Sequence, residues 1–129
     1  MSIIDEFNKF SQASEAEAER IIRGTAISLF GAIITDTPVI SGRLRGNWQT
    51  STGKPKTSQL DRDDKSGAAA SSEAASVANG FKIADNLYLA NNLIYAEVIE
   101  NGNATHRPQG MVKRNVKAFN DEIKKRVKG

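Results

Sequence analysis

The side chains that most often carry catalysis or metal binding are sparse in this sequence. It contains no Cys and a single His, His106, which excludes thiolate sites and any metal site that needs two imidazoles from one chain. Asp61, Asp63 and Asp64 form an acidic cluster without the Gly and the distal Glu of an EF-hand loop. We interpret this cluster as a solvated charge run and His106 as a surface loop residue. The sequence therefore predicts no metal site, no cofactor and no enzyme activity.

The segment TPVISGRLRGNWQ, residues 37–49, contains two Gly, two Arg and the only Trp of the chain. It lacks the Lys-Ser/Thr pair of a Walker loop, so nucleotide binding is not predicted. Arg43 and Arg45 flank Leu44, and two interpretations are open. They are exposed cations with packed stems, or they recognise carboxylates of a neighbouring subunit, since guanidinium groups suit interfaces. Trp48 is correspondingly a core anchor or an interface anchor.

Helical spacing and capping signals predict the element that precedes this segment. A helix is expected from Ser14 to Asp36, because Ser14 and Glu17 fit a capping box and the apolar residues that follow share one face. Pro38 disfavours helix at the residue before it. A turn at Ser41–Gly42 and a strand from about Asn47 are expected next.

The composition of the middle of the chain, beginning at Gly53, predicts little hydrophobic packing. Gly53–Ala78 is rich in Lys, Ser, Asp, Ala and Gly, which predicts a long mobile loop that becomes ordered on contact with a partner. Within it, SSEAASVA is a candidate for a weak helical turn. Gly80–Asn91 alternates apolar and polar residues around Asp85–Asn86, so a hairpin or one bent strand is expected there.

Two helices are predicted for the last third of the chain. A short, mostly buried helix is expected from Ile94 to Glu100, ended by Gly102. Pro108 suits the first turn of a final amphipathic helix, whose apolar stripe is formed by Val112, Val116, Phe119, Ile123 and Val127. We therefore predict a single α+β domain over residues 1–129, with a long N-terminal helix, a small, mostly antiparallel sheet, a short buried helix and an amphipathic C-terminal helix.

Charge is distributed unevenly along the chain. The net charge is +3, but residues 107–129 hold eight Lys/Arg against two acidic residues. This pattern indicates either the solvated face of a terminal helix or a surface that meets acidic protein or nucleic acid. No apolar run is long enough to cross a membrane, and no signal-peptide layout is found. We expect synthesis in a cytoplasm.

Three blocks of the sequence together resemble a known family. They are the helix followed by TPVISGRLRGNWQ, the segment ANNLIYAEVIENG, and RPQGMV at the start of the last helix. In this order they are similar to the small tail-completion proteins of long-tailed bacteriophages, a tail-component family that includes tail terminators. Ser41 stands where Thr is common in that family and keeps the hydroxyl. The resemblance covers about half of the chain and leaves out Gly53–Ala78.

The resemblance implies a structural protein of the virion. Such proteins form rings, commonly hexamers, that end the tail tube and join it to the head connector, with the genomic DNA passing through the lumen. The expected partners are therefore other copies of the chain, the tail tube protein and a head-completion or connector protein. The hypothetical interface set consists of Arg43, Arg45, Asn47, Trp48, Tyr95 and Glu100. The alternative is a small basic protein that binds nucleic acid with its C-terminal helix.

Overall fold

The computed structural model of the chain describes residues 15–103 and 109–128. In chain order the elements are α1 (Glu15–Asp36), α2 (Arg43–Gly46), β1 (Trp48–Thr52), α3 (Ala68–Asn79), β2 (Leu87–Asn91), α4 (Ile94–Asn101) and α5 (Met111–Lys128). The predicted α+β class is confirmed, including the long first helix and the antiparallel sheet. The Ser14 cap and the Pro108 helix start lie outside the described residues.

Helix α1 ends at Asp36, as Pro38 predicts. Thr37 closes the last turn, since its backbone N–H reaches Ile34 O at 3.2 Å and its Oγ1 reaches Ile33 O at 2.7 Å. These bonds satisfy two of the carbonyls that a helix C-terminus leaves without an intrahelical donor. No basic residue lies in the last turn of α1 itself, so the cation that favours a helix C-terminus must come from elsewhere in the fold.

The sheet consists of β1 and β2, paired antiparallel from Trp48↔Asn91 to Thr52↔Leu87. The predicted strand near Asn47 is confirmed, because β1 begins one residue later. The hairpin predicted within Gly80–Asn91 is wrong, since only its second half is a strand and that strand pairs with β1. Phe81 O instead accepts bonds from Arg23 at 3.0 and 2.6 Å, and Ile83 N–H donates to Glu19 Oε1 at 2.9 Å. Side chains of α1 thus satisfy the backbone groups that a strand partner would take.

Helix α3 corrects the expectation of a loop throughout Gly53–Ala78. Its buried face consists of Ala70, Ala74 and Ala78, spaced four apart. Small side chains let the backbone of α3 lie close to its neighbours, and α3 packs against α1 and β1. The composition is low in large apolar residues because close packing uses alanine here, not because the segment is solvated. Residues 54–67 contain no helix or strand.

The core lies where α1, α3, β1 and the start of α5 meet. Its buried members are Ile33, Ile34, Trp48, Ala70, Ala74 and Met111. A smaller buried cluster joins α2 to α4 through Leu44, Leu93 and Ala96, and Ile99 packs against both clusters. The two clusters hold the TPVISGRLRGNWQ segment between them.

Helices α4 and α5 are present as predicted, but both leave apolar residues exposed. The expectation of a mostly buried α4 is wrong, because Ile94 is 86% and Tyr95 43% exposed. In α5, Met111 is buried and Val112 packs on the core, whereas Val116 is 38% exposed. Of the stripe residues whose side chains the structure describes, Val112 therefore packs on the core and Val116 does not.

Candidate protein-contact surface

Arg45 is half-buried, and its guanidinium donates four hydrogen bonds to backbone carbonyls of its own chain. Its Nη1 donates to Lys65 O at 2.6 Å, its Nη2 to Thr35 O at 2.7 Å and to Thr37 O at 2.9 Å, and its Nε to Thr37 O at 3.3 Å. It supplies the cation that the C-terminus of α1 lacks. We therefore correct its place in the interface set: Arg45 fastens α2 and residue 65 to the end of α1.

Trp48 is buried, which supports the core-anchor interpretation over the interface anchor. Its Nε1 donates to Thr37 Oγ1 at 2.8 Å, and its ring belongs to the main core cluster. A buried indole N–H normally finds such a partner. The bond joins β1 to the residue that closes α1, so Trp48 has no surface to offer a partner.

Asn47 is fully buried, and its side-chain amide forms the pair of hydrogen bonds that the backbone of a neighbouring strand would form. Its Oδ1 accepts Leu60 N–H at 2.7 Å, and its Nδ2 donates to Leu60 O at 3.0 Å and to Arg43 O at 2.8 Å. The side chain thus pairs with both backbone groups of one residue in the segment that follows β1. Asn47 positions that segment and is also removed from the interface set.

Arg62 and Glu73 complete the outer side of β1, and sequence reasoning missed both. Arg62 donates from Nε to Gly46 O at 2.7 Å and from Nη2 to Trp48 O at 3.1 Å. Its Nη1 lies 3.4 Å from Glu73 Oε2, and Glu73 Oε1 accepts Thr50 N–H at 3.1 Å. The pair satisfies backbone groups that β1 turns away from β2. Nothing in the sequence marks these residues, because their partners are backbone atoms distant along the chain.

The acidic cluster divides into two roles. Asp61 is 98% exposed and forms an ion pair with Arg43 at 3.1 Å, in line with a solvated charge. Asp64 is buried and its Oδ2 accepts Ala70 N–H at 2.9 Å, in the first turn of α3. We correct the interpretation of Asp64: it helps to start α3. Within the described residues no group of three or more His, Asp or Glu side chains could hold a metal ion.

Two glycines make the GRLRG turn close-packed. Gly42 has φ +91°, and a Cβ there would lie 2.6 Å from Lys65 N. A Cβ on Gly46 would lie 2.1 Å from Arg62 O. Side chains cannot be accommodated at either position without moving the backbone of residues 62–65. The turn is therefore rigidly placed, and it carries Arg43 on its exposed side.

Exposed apolar residues lie on both sides of this turn. Ile40, 97% exposed, precedes it, and Ile94 and Tyr95 open α4. Asn91 Nδ2 donates to Leu44 O at 2.8 Å, which fastens the start of α4 to α2, and Leu44 packs with Leu93. We call Ile94 and Tyr95, which are neighbours at the start of α4, the apolar patch. Its residues lie beside a rigid junction and face solvent.

Glu100 is committed within the chain. Its Oε1 accepts Val112 N–H at 2.9 Å and its Oε2 accepts Lys113 N–H at 3.0 Å. A carboxylate at a helix N-terminus satisfies free N–H groups and favours the dipole. Glu100 therefore positions α5. Of the six predicted interface residues, Arg43 and Tyr95 are the ones that the structure leaves available for a partner.

Helix α5 contributes a second surface that the interface set did not include. A surface groove is lined by Val112, Lys113, Val116, Lys117, Asn120 and Asp121. Lys117 donates to Asp121 Oδ2 at 2.9 Å, and this hydrogen bond raises the pKa of the Lys117 ammonium above its usual value. The mixed apolar and basic residues suit a protein partner with carboxylates.

None of the helices in the ranges 15–103 and 109–128 is both long and apolar enough to cross a membrane. The exposed side chains of the apolar patch and of the groove on α5 are suited to binding a protein through apolar contact and charge. No protein-family model, no curated protein and no solved structure was found to match this chain.

Proposed function

We propose that this chain is a structural protein of a bacteriophage virion, placed at the head–tail junction. In this proposal its copies form a ring, expected to be hexameric, which terminates or completes the tail tube and joins it to the head. The partners are other copies of the chain, the tail tube protein and a head-completion or connector protein. Genomic DNA passes through the lumen without sequence-specific contacts, and neither a membrane nor a cofactor takes part. The chain is not an enzyme.

The observation that carries the proposal is the apolar patch beside a rigid turn. Ile94 and Tyr95 are 86% and 43% exposed, and burying a side chain such as Ile94 contributes roughly 1.5–3 kcal/mol. Adjacent exposed apolar residues indicate a protein contact. The patch supports a role in assembly, and the resemblance of the three sequence blocks to tail-completion proteins supports the virion as the place of assembly.

Deleting the gene from the phage that carries it and imaging the lysate tests this function. A tube end recruits subunits until a different surface occupies it, so the expected phenotype is DNA-filled heads beside unattached tails, some of them overlong. Tubes of abnormal length support a terminator over an adjacent neck layer. Normal infectious particles, or empty heads beside normal tails, would contradict the proposal.

Nucleic-acid binding is the second candidate, favoured by the charge of α5. This helix holds seven Lys/Arg and two Asp/Glu. Binding driven by phosphate contacts should weaken steeply as salt increases, and titration of a labelled duplex at two salt concentrations measures it. The low net charge of the whole chain, +3, favours the structural role. Tight, salt-sensitive binding by the purified chain would reverse this order.

A further inference from the structure

Two surfaces of the chain carry opposite charge around apolar residues. On α5, Lys113, Val116 and Lys117 lie three and four positions apart, which places them on one side of the helix. We call these three residues the basic strip. Lys117 pairs with Asp121 of the same helix but keeps 79% of its side chain exposed, and Lys113 Nζ donates to Asn101 Oδ1 at 2.6 Å. Val116 is also exposed. The whole of α5 carries a net charge of +5, from seven basic and two acidic residues.

The apolar patch has acidic neighbours. Helix α4 contains Glu97 and Glu100 and no Lys or Arg. Glu100 is committed to the start of α5, whereas Glu97 is exposed and lies three residues after Ile94, on the same side of α4. Asp61 is ion-paired with Arg43, so this pair adds no net charge. The apolar patch therefore has Glu97 as its acidic neighbour.

We propose that the basic strip of one copy binds the apolar patch of the next copy, with Val116 against Ile94 and Tyr95 and Lys117 facing Glu97. This inference rests on the proposed ring and names its subunit contact. Charge complementarity identifies the occupant: the patch needs an apolar surface bordered by cations, and the chain itself provides one. Within one chain both surfaces are exposed, so neither covers the other.

The proposed contact joins two different surfaces, the basic strip of one copy and the apolar patch of the next. In the proposed ring each copy gives its strip to one neighbour and receives the strip of the other neighbour on its patch. Such a heterologous contact closes into a ring or continues as a filament. The alternative is a reciprocal two-fold dimer, which fills both surfaces of both copies at once and in which cross-linking of the double variant would stop at the dimer.

Cysteine cross-linking tests the contact directly, because the chain contains no Cys. Glu97→Cys and Lys117→Cys place one thiol at each surface, and losing one exposed ion pair costs only about 0.2–1 kcal/mol. With a short bismaleimide, a mixture of the two single variants should give heterodimers, and the double variant a ladder of higher oligomers. Lys82→Cys, exposed and outside both surfaces, is the control partner for Lys117→Cys. Heterodimers no more abundant than with this control, or products dominated by one variant paired with itself, would overturn the proposal.

Charge reversal provides an independent measurement. Glu97→Lys and Lys117→Glu should each weaken self-association roughly two- to fivefold, as measured by sedimentation of the full chain. The chain carrying both changes should recover, since its reversed strip faces a reversed patch. A double variant weaker than either single variant contradicts the contact.

The outcomes separate this inference from the proposed function. Absent cross-links together with unattached tails in the deletion lysate overturn the contact and leave the head–tail role in place. Specific cross-links together with normal particles in that lysate support the contact and remove the virion role.

Discussion

At the scale of single residues, the two arginines of the GRLRG turn have opposite roles. Arg43 forms an ion pair between exposed groups with Asp61, whereas Arg45 donates to the carbonyls of Thr35, Thr37 and Lys65. The residue type and spacing do not distinguish them, since both flank Leu44. What differs is the direction that a four-residue helix gives to each side chain. Arg45 points back to the end of α1.

Replacing Arg45 by Ala should destabilise the fold by about 2–3 kcal/mol, because hydrogen bonds to a charged donor contribute roughly 1.5–3 kcal/mol. Arg43→Ala is the matched control and should change the free energy of unfolding by less than about 1 kcal/mol. Urea unfolding followed by Trp48 fluorescence measures both. Equal effects of the two substitutions would show that Arg45 does not fasten the turn.

At the scale of elements, α3 shows how alanine can build a core. Ala70, Ala74 and Ala78 are buried at a spacing of four, whereas Ala69 of the same helix is exposed. The helix starts at the Asp64 carboxylate and is joined to β1 through Glu73. It therefore depends on tertiary contacts more than on large apolar side chains.

Ala74→Leu should destabilise the chain by about 1–3 kcal/mol, because extra methylene groups cannot fit a close-packed interface. Ala69→Leu adds the same group to the exposed side of α3 and should have little effect. Thermal unfolding of the two variants gives the comparison. A stabilised Ala74→Leu variant would mean that α3 is loosely packed.

The segment before α3 should differ in protease sensitivity along its length. Residues 54–59 are exposed, with Ser58 O and Lys56 O accepting hydrogen bonds from Gln49 and Asn92. Leu60, Arg62 and Asp64 are less exposed and are bound to Asn47, Gly46 and Gly42. A protease of broad specificity should therefore cut within residues 54–59 first and spare α3. Mass spectrometry of the early fragments locates the cuts. First cleavage within Ala68–Asn79 would restore the original expectation of a mobile loop up to Ala78.

At the scale of the whole molecule, the side-chain hydrogen bonds and the exposed apolar residues lie in two different regions. Residues 37–50 and 60–73 bind one another through side chains and form a rigid centre. The exposed apolar residues lie at its margin, on the loop before α2 and at the start of α4. Because the exposed apolar residues lie outside the hydrogen-bonded centre, they can contact another subunit while the fold stays unchanged.

Ile94→Asp should lower self-association strongly and leave the unfolding temperature nearly unchanged, since Ile94 is 86% exposed and a charge in a closed contact is costly. Leu93→Asp is the contrasting variant, because Leu93 is buried beside Leu44, and it should unfold the chain. Sedimentation and thermal unfolding together separate the effects. An Ile94→Asp chain that associates like the unchanged protein would exclude the patch from the contact.

Local pattern alone determined helices α1, α4 and α5 and the charge distribution. The ends of α1 and α4 follow from Pro38 and Gly102. The spacing of the apolar residues within Ile94–Glu100 and within the C-terminal stripe predicts helices α4 and α5. Strand β1 also follows, because Gly42 and Gly46 mark the turn before it. These features depend on neighbours within a few residues, which the sequence shows directly.

Tertiary structure decided which of these residues remain available for binding. The side chains of Arg45, Asn47 and Glu100 bind backbone groups up to 20 residues away. Phe81 lies in a predicted strand, but its carbonyl accepts a hydrogen bond from Arg23 of α1 instead of pairing with another strand. Helix α3 forms because Asp64 and the close approach of α1 support an alanine face of low hydrophobicity. Such contacts between distant segments leave no local pattern, since a hydrogen bond to a backbone carbonyl places no demand on the type of residue that carries it.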